Sequence, residues 1–443
     1  MSTIAEPSTE LARLAPLDLP PRAEHAAGWA APAPQRLGRR LTERFALIAF
    51  GLYHLPLFLN NYPSLGGGGF SETGLAARWG HVFTPPGVWV ARHVFHMTGP
   101  MPGAYQVDNG DIGEEFGRLL LALVIGAVVG IVWTIADRKR PGTRWAGDAL
   151  RVLLRYSIAL GLTSYAIAKI FPQQFPPITA FTLEQRVGDL TPMALLWTLM
   201  QYSRPYAFFG GMMELVAVLL LCVRRTATLG AFICVAVMTN VALMNYAYGV
   251  PVKLYATMTV LSAAVLLLYD APRLIAVFVR NHAVPAARST SWQDRIPFAL
   301  RWSIKVLVVG SVIVSSVAAM RGTLDRPNAT TGLDGLWVVA SFTREPQAGD
   351  SSRWSAVIVR GNNLAIRLSS DRFVSCQGTA TPAPDTKSAT CSGNRRAELR
   401  WTQRGAVAQI DGTFDGARVT VSARRADPSD YRLMKSKFRW IVD

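Results

Sequence analysis

The chain has 443 residues, of which 50% are hydrophobic and only 17% charged, a balance that leaves too little polar surface for one soluble globule of that size. Its formal net charge is +17, yet the basic residues gather in short loops and a tail, and no basic, aromatic-interleaved module of the kind that binds nucleic acid stands out. Composition therefore excludes a single soluble domain and a nucleic-acid role, and points to an integral membrane protein whose first partner is the lipid bilayer.

Residues 1–35 are rich in Ala and Pro and have neither an apolar core behind charges nor a small-residue cleavage site after one. They read as a disordered cytoplasmic tail, extending to residue 40, and not as a secretory signal. Seven apolar runs follow, at 44–59, 116–136, 152–171, 206–223, 226–248, 251–269 and 298–320, each near the ~20 residues that carry a helix across a hydrocarbon core. Basic residues crowd before the first run (Arg36, Arg39, Arg40, Arg44), between the second and third (Arg138, Lys139, Arg140, Arg144, Arg151), between the fourth and fifth (Arg224, Arg225) and between the sixth and seventh (Arg273, Arg280, Arg288, Arg295). The alternate loops, 60–115 and 172–205, are acidic or nearly neutral. The positive-inside rule then puts the N-terminus in the cytoplasm and residues 321–443 outside.

Within the loop 60–115, the flexible Gly66–Gly69 run precedes an apolar, aromatic stretch from Trp79 to Phe95, expected to lie at the outer membrane interface. Asp108, Asp111, Glu114 and Glu115 read as a solvated helix start. In 172–205, Pro172 and Pro176-Pro177 end the third helix, and Met193–Met200 predicts a short amphipathic or re-entrant helix broken at Pro205. The chain thus divides into a transmembrane hairpin with a long outer loop (41–151), a second group of helices (152–280), a linker with the last span (281–330) and a C-terminal domain (331–443).

From Leu333 the period changes to two. Strands are predicted at 337–342, 355–359, 364–368, 398–402, 407–410, 418–423 and 438–441, with turns at 360–363, Asp411-Gly412 and Asp415-Gly416. This is an antiparallel β domain, expected to be a small barrel. Its opening Asp334-Gly335-Leu336-Trp337 resembles the Gly-x-Trp of lipocalin-like barrels, where the Trp plugs one end; Trp337 as plain core filler is the other reading. Cys376 and Cys391 lie on the oxidising side and are expected to pair, two buried thiols being the alternative, while Cys222 and Cys234 fall in apolar runs as small core residues.

Ionisable groups inside a bilayer are costly, so each is a candidate for function. Glu214 lies well inside the fourth run, with Gly210 one turn earlier to let a neighbour come close; Lys169 ends the third run and Lys253 starts the sixth; Asn240 and Asn245 occupy the outer half of the fifth, with Tyr248 beyond. A bundle could bring these into one polar pocket. The competing reading is that Lys169 and Glu214 pair only to lock helix packing, the lysines snorkel and the asparagines cross-link helices. His93, His96, Met97 and Met101 could suit copper or zinc, but no third strong ligand is set by spacing, and no metal is assigned. His54 is the only histidine in a span, which disfavours haem, and no Cys-x-x-Cys exists.

The stretches Tyr165–Pro176, Gly188–Met193, Arg224–Gly230, Thr239-Asn240-Val241 and Asn245–Leu254 resemble the DoxX-like membrane proteins. Over 44–443 the chain looks like bacterial members with extra N-terminal spans and a C-terminal β domain ending in an aromatic motif, here Phe438-Arg439-Trp440-Ile441. The family takes its name from the small subunit of a thiosulfate:quinone oxidoreductase. The resemblance implies a four-helix core at 152–280 in a bacterial inner membrane, and an association with quinone and a partner redox subunit. On that reading Lys169 donates to a quinone oxygen, Glu214 relays a proton, Asn245 and Lys253 orient the ring or an anionic substrate, and Gln174, Asn240 and Tyr248 complete the site. The alternative is a non-enzymatic transporter, or an envelope-assembly or sensory protein, in which the same residues gate a solute path beside the breaks at Pro205 and Pro251.

Overall fold

A computed structural model describes residues 36–60, 75–98, 111–139, 145–284, 297–324, 332–345, 352–361, 363–379 and 386–435. The tail 1–35, Gly66–Gly69, Met101, Asp108 and the motif at 438–441 lie outside the described residues. The helices are α1 (Leu37–Asn60), α2 (Leu75–His93), α3 (Gly113–Ala136), α4 (Trp145–Ile170), α5 (Ala180–Glu184), α6 (Pro192–Tyr202), α7 (Arg204–Cys222), α8 (Ala227–Ala247), α9 (Lys253–Phe278) and α10 (Phe298–Leu324). Among the described residues four of them, α3, α7, α8 and α9, are long and apolar enough to cross a membrane.

The expectation of about seven spans is thus met for four helices. The other three runs form helices of 24, 26 and 27 residues, α1, α4 and α10, that are more polar along their length. In α1 and α4 that polarity is neutralised by neighbours. Arg40 reaches Asp137, just past the end of α3, at 3.1 Å, and Arg44 bonds both Asp137 and the Trp133 carbonyl. Arg155 of α4 donates to the Leu221 and Cys222 carbonyls at 2.8 and 3.1 Å, satisfying acceptors that the last turn of α7 leaves without intrahelical partners.

Small residues set the helix spacing. A Cβ on Gly117 would sit 2.0 Å from the Gly87 carbonyl oxygen, and one on Gly113 would touch Ala91, so α2 and α3 run antiparallel in near backbone contact. The apolar, aromatic stretch of the loop 60–115 forms a helix packed on α3, passing through Pro85 and Pro86, with Val82 and Trp89 exposed. Of the acids expected as a solvated helix start, Glu114 and Glu115 do stand in the first turn of α3, but Glu114 is not solvated. Glu114 is wholly buried, accepts from the Thr84 hydroxyl at 2.8 Å and faces Arg118 at 3.2 Å.

The C-terminal domain is a closed antiparallel barrel of β1 (Gly335–Glu345), β2 (Trp354–Arg360), β3 (Asn363–Leu368), β4 (Phe373–Thr379), β5 (Thr386–Cys391), β6 (Arg395–Arg404), β7 (Val407–Phe414) and β8 (Ala417–Ala426), with β1 closing on β8. Its interior is filled by side chains, among them Trp337, Trp354, Trp401 and Phe414. Trp337 donates its indole N–H to the Leu333 carbonyl at 2.8 Å and lies under the Arg425 guanidinium, 5.8 Å from the ring centre, closing the end where β1 starts. Asp415 and Gly416, with φ of 54° and 74°, make the two-residue turn between β7 and β8. Asp411-Gly412 is not a turn. Gly412 lies inside β7, where a Cβ would meet the Glu398 carbonyl at 2.0 Å, the use of a strand glycine for close backbone approach. Cys376 and Cys391, directly opposed on β4 and β5, are joined by a disulfide.

Candidate functional site

The last turn of α4, the chain just beyond it, and helices α6 to α9 converge on one polar spot. Gly211 brings α7 against α4, since a Cβ there would lie 2.8 Å from the Ala166 carbonyl oxygen, whereas Gly210, expected in that role, has nothing within 4 Å. Glu214, one turn further along α7, then faces Lys169. The Lys169 ammonium donates to both carboxylate oxygens at 2.7 and 2.9 Å, and both residues are buried.

Beside this pair is a cavity of about 60 Å³, lined by Lys169, Glu214, Gln174, Asn245, Tyr165 and Tyr255 and closed by Phe175, Trp197 and Met200. A water needs about 10–15 Å³ by such a measure, so the space holds a few. One polar atom of its lining residues, Gln174 Oε1, is buried without a hydrogen-bond partner among the described residues. Tyr255 is held by stacking on Tyr165, ring centres 5.3 Å apart, and its hydroxyl lies against Gly161, where a Cβ would come within 2.3 Å. The Lys169 ammonium is 5.6 Å from the centre of the Tyr165 ring.

Of the residues expected in this pocket, Lys169, Gln174, Glu214 and Asn245 line it, Asn245 donating to the Val252 carbonyl at 3.3 Å. Three do not. Asn240 is exposed on α8, Tyr248 packs behind the site with Phe175 and Met200, and Lys253 is turned to Asp111. Asp111 accepts from the Lys253 ammonium at 3.1 Å and from the backbone N–H of Lys253 and Leu254 at 3.0 and 2.8 Å, so it caps the start of α9. Tyr165, Tyr255, Phe175 and Trp197 were not expected; the spacing of Tyr255, Thr259 and Ser262 along one face of an otherwise apolar helix was the available sign. His93 and His96 are exposed, His93 bonding the Trp89 carbonyl at 2.9 Å, and the described residues hold no group of three or more His, Cys, Asp or Glu suited to a metal.

The segment between α4 and α6, which supplies Gln174 and Phe175 at one end and leads into Trp197 at the other, is gripped in the middle by the barrel. Phe181 packs edge-on to Phe373 with ring centres 5.0 Å apart. Glu184 accepts from Arg367 and Tyr431, and Arg186 pairs with Asp371. Leu336, Ala356 and Ile358, on the outside of the barrel, are buried by this contact.

No family model matches the chain, and no solved structure matches it. Over 140 residues, covering 30% of this chain and 89% of the relative, the chain is 31% identical to the Bacillus subtilis (strain 168) protein named "Uncharacterized protein YwoB". With nearly the whole of that relative covered at this identity, the chain belongs to the YwoB family.

Proposed function

We propose that the chain is a DoxX-like protein of the bacterial inner membrane that crosses the bilayer seven times, through α1, α3, α4 and α7 to α10. The N-terminus is cytoplasmic and the barrel lies outside. The cavity beside Lys169 and Glu214 takes the head group of a quinone, and the protein serves a partner redox subunit.

The observation that supports this reading is a buried polar atom without a partner among the described residues, Gln174 Oε1, at an apolar cavity next to a neutralised ion pair. Such an atom calls for a guest or for water. A quinone head is a flat apolar ring with one polar oxygen at each end, and aromatic and methionine walls with a few convergent polar groups suit it. Lys169 keeps a third N–H to donate to a quinone oxygen, while Gln174 Oε1 and Glu214 can accept from a hydroquinone O–H. The ring enters by displacing Trp197 and Met200 of α6, a helix of 11 residues.

The test is purification of the full chain in mild detergent and mass spectrometry of the lipid extract. Quinone should co-purify with the wild type and be lost from a Gln174→Leu protein whose melting is unchanged. Absence from the wild type, or full retention in that variant, refutes the reading. The barrel's grip on the α4–α6 segment favours one second reading, a sensory or envelope-assembly protein, which is selected if a polar solute is held in place of quinone.

A further inference from the structure

Deeper than about two turns from either end, the exposed residues of the four long apolar helices are hydrocarbon on three of them and partly polar on the fourth. On α3 they are Leu123, Val124, Val128 and Val129, on α9 they are Leu261 and Leu268, and α7 has none. On α8 they are Ala236, Thr239 and Asn240. A threonine hydroxyl can turn back to a carbonyl of its own helix. The Asn240 carboxamide, which carries both donors and an acceptor, has no hydrogen-bond partner among the described residues.

Asn240 stands seven residues before the end of α8 at Ala247, about 10.5 Å along the axis. Its side chain is too short to reach back over that distance to the membrane surface, as a lysine or arginine stem would. A helix surface in hydrocarbon has no water to satisfy such a group, so the amide needs a partner from outside the chain at its own depth. The opposite side of α8 is already engaged, since Met238 and Asn245 line the cavity beside Lys169 and Glu214.

We propose that the partner is a second copy of this chain, and that the exposed face of α8 around Asn240 is a homodimer interface within the membrane. Two copies inserted in the same sense are related by a two-fold axis along the membrane normal, which brings like residues together at like depth. A carboxamide is its own complement: across such an axis each Asn240 donates an N–H to the other's carbonyl oxygen and accepts one in return. The neighbours on that face permit the approach. Ala236 lies one turn before Asn240 and Leu243 one turn after, with Phe232 and Ala247 beyond them, all exposed. The small Ala236 side chain lets two helices close to the ~8 Å at which the amides meet, and Phe232 and Leu243 supply apolar contact on either side. Lipid tails satisfy neither half of an amide, and a different protein would have to present both a donor and an acceptor at this depth, which a second copy does by symmetry. The interface lies behind the cavity wall, so each copy keeps its own cavity, and the inference does not depend on what the cavity holds.

The test uses the full chain, labelled at its N-terminus and reconstituted at graded protein-to-lipid ratios, with the dimer fraction read by single-molecule photobleaching. The wild type should dimerise, Asn240→Leu should dimerise about tenfold more weakly, and Asn240→Gln, which keeps the carboxamide, should recover most of the loss. Asn240→Leu should melt no lower than the wild type, because it removes a polar group from a lipid-facing surface. In the same membranes, oxidation should cross-link Ala236→Cys into a dimer and leave Val128→Cys, on the exposed side of α3, uncoupled. A wild type that is monomeric at every ratio, a dimer indifferent to Asn240→Leu, or cross-linking through Val128→Cys in place of Ala236→Cys overturns the proposal.

Discussion

Both carboxylate oxygens of Glu214 accept from a single ammonium, that of Lys169, across the α4–α7 contact. A buried pair of this kind costs more to break than to replace. Glu214→Gln should therefore destabilise the protein by about 3–5 kcal/mol, whereas Glu214→Leu with Lys169→Leu should recover most of that loss. We expect the double variant to fold, by melting in detergent, and to fail to retain quinone. Retention at the wild-type level would reduce the pair to a packing device.

Adjacent glycines on α7 should differ in their tolerance. Gly211→Ala places a methyl 2.8 Å from the Ala166 carbonyl oxygen, so α4 and α7 must separate at the cavity wall; Gly210→Ala meets nothing within 4 Å. The first should cost about 1–3 kcal/mol, and the second should stay within about 0.5 kcal/mol of wild type or stabilise slightly. Thermal melting of the two variants side by side checks the contrast.

The Cys376–Cys391 bridge closes a separation of 15 residues between opposed strands. Loss of such a link, in Cys376→Ser with Cys391→Ser, should cost the barrel about 3 kcal/mol in the chain-entropy picture. Peptide mapping without reduction should find the two cysteines linked, and buried Cys234 should react with thiol reagents only after unfolding.

Asp137, beyond the end of α3, ties that helix to α1, and the hydrogen bond from Arg44, reinforced by Arg40, holds its carboxyl below the usual carboxylate range. A depressed folded value means that the stabilisation is complete above the unfolded value of about 3.9 and is lost as pH falls through the folded one. The α1–α3 contact should thus be indifferent to pH between about 7 and 5 and loosen in stronger acid. Asp137→Asn should remove that acid-dependent component, read as a flatter melting profile below about pH 4.

Orientation is tested by fusion. Because Arg and Lys cluster in alternate loops, alkaline phosphatase should be inactive when joined after Arg140 and active when joined after Asp443. Activity at Arg140 would invert the proposed topology.

Helices α3, α7, α8 and α9 were legible because each carries a long apolar run; α7, anticipated at 206–223, spans Arg204–Cys222. Strands β4 and β5 were not, since Phe-Val-Ser-Cys-Gln-Gly-Thr and Thr-Lys-Ser-Ala-Thr-Cys lack the β-branched alternation that marks their neighbours, and they are set by pairing within the barrel. Helix α2 was hidden by Pro85-Pro86 and is held by the Gly87–Gly117 approach, a contact between distant parts of the chain. In the site, Lys169, Glu214 and Asn245 stood out as polar groups in apolar runs. Lys253 stood out for the same reason and is nevertheless turned away, because its partner Asp111 lies 142 positions earlier. Tyr255 was concealed by the apolar body of its ring, which disguises a buried hydroxyl.

The segment that roofs the cavity is also the seat of the barrel, through Phe181, Glu184 and Arg186. Thermodynamic linkage makes such sharing symmetric: whatever factor a guest in the cavity gains when the barrel is seated, the barrel's seating gains from the guest. A molecule that prised Glu184 from Arg367 would therefore weaken a guest's hold without touching the cavity, and a bound guest would make the barrel harder to dislodge by the same ratio. The barrel and the helical site are in that sense one equilibrium, readable from either end.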